Sequence, residues 1–218
     1  MTGEHWTIFA NGEWCKHTLV EEHCTASDVT VACDGALEKC LQAKITPDLV
    51  IGDFDSVLQP VLDTYKRQGG KVIHEPSQER NDLQKALEHA MNNGAKSCTV
   101  IGATGGDPQH EWGNLLACAA VNFDIVCYSK QAVFHFPSPG TSYSIEIIPG
   151  RMFSLFALAE AHEINLSGAR FDLADDQLSI GSRGVHNVAQ DSTINLHYTS
   201  GRLMVLVPNV PSAEEGGV

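Results

Sequence analysis

Short apolar runs separated by stretches with helical periodicity fill the first 136 residues. The runs are rich in β-branched and aromatic residues and read, in order, WTIFA, DVTVAC, PDLVIG, KVIHE, SCTVIGA and FDIVCYS. Strand-like runs that alternate with helical segments are typical of βαβ units, in which consecutive strands are parallel. The pattern therefore predicts a Rossmann-like α/β domain built on a parallel sheet.

Three helices are predicted between these strands. The clearest covers 82–93, because its apolar side chains recur on one helical face, at Leu83, Ala86, Leu87, Ala90 and Met91. Asn81 is a suitable N-cap for this helix, and Gly94 a suitable stop. The other two helices are predicted over 57–68, with Pro60 in the first turn, and over 111–121.

The helical period disappears after the segment FPSPGTS at 136–142. The remaining runs are short, alternate between apolar and polar positions, and are separated by Gly, Ser and Asn turns. This pattern is typical of an antiparallel sandwich or barrel. We therefore predict an α/β domain over 1–138 and a β-sandwich domain over 139–218, with a frayed tail PSAEEGGV at the end.

The formal net charge of -13 limits the possible partners. An acidic chain repels phosphate, which argues against nucleic acids and anionic membrane surfaces as partners. A phosphate compound would then need a cation to mediate its binding. The seven cysteines form no C-x-x-C pair, and from the residue pattern we expect neither a signal peptide nor a membrane span. These features predict a cytoplasmic protein with reduced thiols.

Acidic residues follow two of the predicted strands and open the best helix. They are Asp34 in ACDGA, Asp53 and Asp55 in GDFDS, and Asp82 in NDLQKAL. Because ligands of an open α/β sheet bind at the carboxyl ends of its strands, we expect these acids to converge there. Magnesium prefers carboxylate oxygens together with substrate phosphates. The four aspartates therefore predict a magnesium site for a phosphate compound.

Two neighbouring residues favour this interpretation. Gly52 allows the backbone to bend closely around an ion, and Lys85 lies three residues after Asp82, on the same helical face. The carboxylate of Asp82, for the metal, and the ammonium of Lys85, for the transferred phosphates, would then lie side by side. Each feature alone also has an ordinary explanation, since Asp is common at helix starts and in surface turns. The convergence of three acidic segments favours the metal site.

The sequence resembles the thiamin pyrophosphokinase family at these residues and beyond them. The matching stretches are ACDGA (32–36), PDLVIGDFDS (47–56), NDLQKAL (81–87), GATGG (102–106), IGSRGVHNVA (180–189) and GRLMVLV (201–207). The resemblance implies an enzyme that transfers the pyrophosphoryl group of ATP to thiamin with the help of Mg²⁺. It also implies a homodimer whose active sites lie between the α/β domain of one subunit and the β-domain of the other.

The resemblance also implies roles for single residues. Metal binding falls to Asp34, Asp53, Asp55 and Asp82, and Asp55, Asp82 and Lys85 carry catalysis, with no dedicated general base assigned. Nucleotide contacts are expected from Asp34, Gly35, Gly52, Ser56, Asn81, Gly105 and His110. Thiamin contacts are expected from Ser182, His186 and Asn187.

Some positions depart from the family pattern. The family's G-G-R-x-D-H is here Gly-Gly-Asp-Pro-Gln-His at 105–110, so Asp107 replaces an Arg and Gln109 an Asp. Asn81 stands where Thr is usual, and His186 where Ser is common. A nucleotide-sugar transferase would also explain the Asp-x-Asp turn, but not the helix with Asp82. A catalytically silent thiamin or nucleotide sensor is the alternative that the altered 105–110 segment leaves open.

Overall fold

The computed structural model describes residues 4–209, so the predicted frayed tail lies outside the described residues. The chain forms two compact units, Met1–Lys130 and Gln131–Val218. The predicted domain boundary, after residue 138, lies further along the chain, within the second unit. Among residues 4–209, none of the helices has the length and apolar character needed to span a lipid bilayer.

The first unit contains a parallel sheet of six strands. These are β1 (His5–Phe9), β2 (Val29–Cys33), β3 (Leu49–Gly52), β4 (Lys71–His74), β5 (Ser97–Ile101) and β6 (Asp124–Tyr128). Their spatial order is β4-β3-β2-β1-β5-β6, and each neighbouring pair is parallel. The predicted α/β fold with a parallel sheet is therefore confirmed for this part of the chain, and all six strands coincide with predicted runs.

The order of the strands creates a topological switch point. After β1 the chain adds β2, β3 and β4 on one side, and then adds β5 and β6 on the other side of β1. At such a point the loops after the two neighbouring strands leave the sheet in opposite directions, which opens a crevice at their carboxyl ends. The crevice here lies between the loops that follow β1 and β5.

Five α-helices connect the strands of this unit. They are α1 (His17–Ala26), α2 (Leu37–Gln42), α3 (Gln59–Arg67), α4 (Asp82–Asn92) and α5 (Pro108–Ala119). The predicted helices correspond to α3, α4 and α5, and Pro60 lies in the first turn of α3. The predicted start of α5 at 111 was wrong. The helix begins at Pro108, because the Oδ1 atom of Asp107 caps it by accepting a hydrogen bond from the N–H of Gln109 at 2.8 Å.

Helix α4 has the apolar face that the sequence predicts. Leu83, Ala86, Leu87 and Ala90 are all buried, whereas Met91, at the edge of the same face, is 40% exposed. The helix contacts β1, β2 and β3, which bury Ile8, Val31 and Ile51. Burial of such side chains contributes about 1.5–3 kcal/mol each, so packing holds the start of α4 at a fixed place on the sheet.

The second unit consists of antiparallel strands. They are β7 (Ala132–Phe136), β8 (Ser142–Glu146), β9 (Met152–Ser167), β10 (Leu173–Leu178), β11 (Asn187–Val188), β12 (Thr193–His197) and β13 (Ser200–Pro208). The long strand β9 pairs with β10, β11, β12 and β13, while β7 pairs with β13 and β8 with β12. The runs at 151–159 and 162–169, predicted as separate strands, belong to the single strand β9.

Candidate active site

Three carboxylates meet at the carboxyl end of the parallel sheet. Asp34 follows β2, Asp53 follows β3, and Asp82 is the first residue of α4. One oxygen from each side chain lies within 4.8 Å of the other two. We call these three residues the carboxylate cluster. The convergence that the sequence predicts is therefore present in the structure for three of the four aspartates.

Asp34 is the buried member of the cluster. Its side chain is fully buried, its Oδ2 atom accepts a long hydrogen bond of 3.4 Å from the N–H of Ser56, and its Oδ1 atom has no hydrogen-bond partner among the described residues. A buried carboxylate oxygen without a partner is costly. Such an oxygen suits a ligand that arrives with a positive charge.

Gly52 allows Asp34 to sit where it does. A Cβ atom at Gly52 would lie 2.4 Å from the Cβ of Asp34, far inside normal contact distance. The close approach of β3 to the residue after β2 therefore requires glycine at this position. Gly52 was predicted as a binding residue, and the structure shows that it packs against the cluster.

The Asp-x-Asp turn places its two acids in different surroundings. Phe54, between them, has a φ of 64°, a conformation that is uncommon for a residue other than glycine and concentrated at functional sites. The Oδ2 atom of Asp53 accepts a hydrogen bond of 2.7 Å from Nε2 of Gln78. Asp55 is exposed, and its Oδ1 atom accepts a bond of 2.8 Å from Ser56. Asp55 is not a member of the carboxylate cluster, so its predicted metal role stays a prediction.

The start of α4 presents the third acid together with a lysine. Asn81 caps the helix by accepting a hydrogen bond of 2.9 Å from the N–H of Gln84, as predicted. Nζ of Lys85 donates to Oδ1 of Asp82 at 2.9 Å, and the lysine side chain is only 3% exposed. The lysine is therefore held beside the cluster and partly neutralises it.

The electrostatics of the cluster are unfavourable without a further cation. Burial, followed by the nearby acids Asp82, Asp53 and Asp55, raises the pKa of Asp34, although the Ser56 bond opposes the shift. Burial also raises the pKa of Asp82, against the opposing effect of Lys85. The hydrogen bond from Gln78 instead lowers the pKa of Asp53. Acids with raised pKa values that share one site favour binding of a cation.

The residues present fit a magnesium ion. Three carboxylates provide hard oxygen ligands, and one of the oxygens is buried and unpartnered. Mg²⁺ is usually bound by one or two carboxylates together with waters and substrate phosphates, which leaves room for a nucleotide. The cluster is accordingly a candidate site for Mg²⁺ rather than for a softer metal.

The cluster opens into a cavity of about 650 Å³ within the first unit. Among the predicted residues, those that line it are Gly35, Asp53, Asp55, Ser56, Asn81, Asp82, Lys85 and His110. Asp34, Gly52 and Gly105 are not among the described lining residues, and they support the walls instead. The N–H of Gly105, for example, donates to the carboxylate of Glu111 on α5.

Several lining residues were not predicted from the sequence. Asn11 and Gly12 follow β1, and Thr104 follows β5, so that both sides of the switch point contribute to the cavity. Gln78 binds Asp53, and Asn114 of α5 accepts a hydrogen bond of 3.0 Å from the side chain of Asn81. The rule that ligands bind at carboxyl strand ends could have predicted the residues after β1 and β5.

The predicted thiamin loop lies in the second unit. The side chain of Asn187 is buried and makes three hydrogen bonds to backbone atoms: it accepts from the N–H groups of Phe171 and Val188 and donates to the carbonyl of Phe171. Ser182 and His186 are exposed, and His186 has a φ of 62°. Asn187 lines a cavity of about 640 Å³ within this unit, whereas Ser182 and His186 are not among the described residues that line it.

A family model and several known proteins match the chain. The model of the thiamin pyrophosphokinase catalytic domain matches residues 20–128. The sequence is 26% identical to a thiamine pyrophosphokinase of Bacillus subtilis over 148 residues, and this aligned region covers 65% of this chain and 69% of that protein. It is 25% identical to thiamine pyrophosphokinase 1 of Oryza sativa subsp. japonica over 169 residues, and this aligned region covers 72% of this chain and 64% of that protein.

Solved structures share the fold. The crystal structure of the Bacillus subtilis thiamine pyrophosphokinase superposes with a TM-score of 0.76 at 21% identity, over 94% of this chain and 99% of that one. The thiamin pyrophosphokinase of Candida albicans superposes with a TM-score of 0.72 at 15% identity, over 94% and 90% of the two chains. At these identities the superpositions support the fold alone.

Proposed function

Because the chain belongs to the thiamin pyrophosphokinase family, we propose that it transfers the pyrophosphoryl group of ATP to thiamin, which gives thiamin diphosphate and AMP. The observation that carries the proposal is the carboxylate cluster of Asp34, Asp53 and Asp82, two of which line a cavity of about 650 Å³. A transfer of this kind needs charge neutralisation and positioning more than covalent chemistry. The cluster and its surroundings provide both.

Mg²⁺, when bound, would neutralise negative charge on the phosphate oxygens of ATP. The chain's own residues then have distinct tasks. Asp34, Asp53 and Asp82 would hold the ion. Lys85, already bonded to Asp82, places an ammonium next to the cluster, where it can stabilise charge that develops on the transferred group.

Positioning is the second task of the site. Gln78 fixes the orientation of Asp53 through its 2.7 Å hydrogen bond, and Asn81 links the start of α4 to Asn114 of α5. These bonds hold the cavity walls in one arrangement before substrate arrives. Effective positioning of two reactants supplies a large part of the rate enhancement in transfer reactions.

The altered 105–110 segment has a structural explanation. Asp107 caps α5, and Glu111 in the first turn of the same helix accepts the N–H of Gly105. His110 lies in the first turn of α5 and lines the cavity. We therefore interpret the segment as an acidic helix start that leaves the carboxylate cluster intact, and we retain ATP as the co-substrate.

The proposal also covers the fold of the second unit, the oligomeric state and the cellular location. We propose a β-sandwich for the second unit, a homodimer whose sites combine the α/β domain of one subunit with the 182–187 loop of the other, and a cytoplasmic location. The seven cysteines are all free thiols, which is consistent with a reducing compartment.

The direct test is a product assay. The purified protein is incubated with thiamin, ATP and Mg²⁺, and the products are resolved by chromatography, with a chelator control and with the variant Asp82→Asn. AMP and thiamin diphosphate in equal amounts, absent with chelator and in the variant, would support the proposal. If thiamin binds but ATP stays intact, the result would contradict the proposal and favour a catalytically silent sensor.

A further inference from the structure

A second cavity in the first unit is open to solvent and is lined by three lysines. It has a volume of about 690 Å³ and is lined by Lys16, Lys39 and Lys130, together with Trp14 and the loop around Gly12. We call it the lysine cavity. Three of the 14 basic residues of a chain with a net charge of -13 meet here. Such a concentration of one charge in an oppositely charged protein attracts anions locally.

The three lysines of the lysine cavity form no ion pair among residues 4–209. Within residues 4–209, none of its three lysines has a carboxylate oxygen within 4.0 Å, and every ion pair involves other residues. Lys39 is held by the carbonyls of Asn11 and Gly12, the latter at 2.9 Å, which fixes its ammonium without cancelling its charge. Glu13 is the one carboxylate among the described lining residues.

The wall of the lysine cavity is preformed. The N–H of Gly12 donates to the carbonyl of Gly102 at 2.8 Å, and the N–H of Glu13 donates to that of Thr104 at 2.7 Å. Trp14 donates from Nε1 to the carbonyl of Ala10 at 3.0 Å and packs on Phe9 with ring centroids 5.1 Å apart. A ligand would therefore meet a wall that does not have to be ordered first, which favours binding.

We propose that the lysine cavity is a second phosphate-binding site that needs no metal ion. Each lysine ammonium carries three donors and a full charge, which suits the several oxygens of a phosphate group. The same chemistry recognises a free phosphate anion and the phosphate of a nucleotide. Gly12 lines both this cavity and the one with the carboxylate cluster, so an anion bound here would contact the loop between the two.

The test measures anion binding without metal. Isothermal titration calorimetry of the full chain in EDTA, which keeps metal away from the carboxylate cluster, compares AMP with inorganic phosphate as probes. The variant K16Q/K130Q removes two exposed lysines and leaves Lys39, which bonds the loop, in place. We expect the variant to bind about tenfold more weakly than the wild type, and added salt to weaken wild-type binding.

The control variant K66Q/K71Q makes the same charge change at two exposed lysines on α3 and β4. It should bind like the wild type. Tighter binding of AMP than of phosphate, with the excess lost in K16Q/K130Q, would identify a nucleotide as the ligand, and equal binding would identify free phosphate. Wild-type-like binding by K16Q/K130Q, an equal loss in both variants, or no wild-type binding up to about 10 mM of either probe would each overturn the proposal.

Discussion

Gly52→Ala isolates the geometry of the carboxylate cluster from its charge. The variant keeps all three acids but adds a Cβ atom 2.4 Å from the Cβ of Asp34. Ordinary contact begins near 3.4 Å, so Asp34 or the strand end must move by about 1 Å. The substitution brings no penalty from a left-handed backbone, because Gly52 is not among the positive-φ glycines.

The magnitude follows from that displacement. A shift of about 1 Å in a positioned group costs about 100-fold in rate, and overpacking of a buried contact costs about 1–3 kcal/mol of folding free energy. The clash also moves one of three prospective Mg²⁺ ligands. We therefore expect a large loss of turnover in a protein that still folds.

The assay combines steady-state production of AMP, at several Mg²⁺ concentrations, with thermal unfolding monitored with and without Mg²⁺. The wild type should be stabilised by Mg²⁺, because a ligand that binds only the folded state raises the melting temperature, and Gly52→Ala should lose most of this shift. Gly181→Ala is the matched control for the Mg²⁺-dependent stabilisation, since it lies outside the first unit and a Cβ there meets nothing closer than 3.9 Å. Full turnover with wild-type Mg²⁺ dependence in Gly52→Ala would refute the account of the cluster.

Three further predictions test other parts of the account. Asp55→Asn should abolish turnover while the melting temperature stays within about 2 °C of the wild type, since Asp55 is exposed; retained activity would remove it from the catalytic set. Asn187→Ala should lower the free energy of unfolding by about 2 kcal/mol or more in denaturant titration, because it leaves the backbone groups of Phe171 without their partners. Burial lowers the pKa of His135 from 6.5 to about 4, so between these pH values only the unfolded chain binds this proton. The free energy of unfolding should therefore fall by at most about 3 kcal/mol as the pH drops from 6.5 to 4. In thermal unfolding His135→Gln should flatten this part of the pH profile, and an unchanged slope would show that other groups cause it.

The sequence predicts the first unit well because its signals are local. Buried parallel strands appear as short apolar runs, and α4 carries both its apolar face and its cap at Asn81. The predicted start of α5 was wrong because Asp107 and Pro108 form the N-cap and the first turn ahead of the apolar pattern. The continuity of β9 was missed because it depends on pairing with four other strands, which no local run encodes.

The candidate site likewise contains residues that the sequence predicts and residues that it does not. The convergence of Asp34, Asp53 and Asp82 follows from topology, since each acid occupies a carboxyl strand end or the start of a helix that packs there. Gln78 was missed because its side chain crosses from a loop to Asp53, a contact that spacing does not reveal. Asn187 was predicted for thiamin, and the structure shows that its amide is occupied by backbone groups, which only the fold of the second unit determines.

The most direct test of the central claim follows the phosphates of ATP through the reaction. ATP labelled with ³²P at the α or the γ position is incubated with the protein, thiamin and Mg²⁺, and the labelled products are separated. Pyrophosphoryl transfer predicts that the γ label appears in thiamin diphosphate and the α label in AMP. A γ label in thiamin monophosphate or free phosphate, with the α label in ADP, would contradict it.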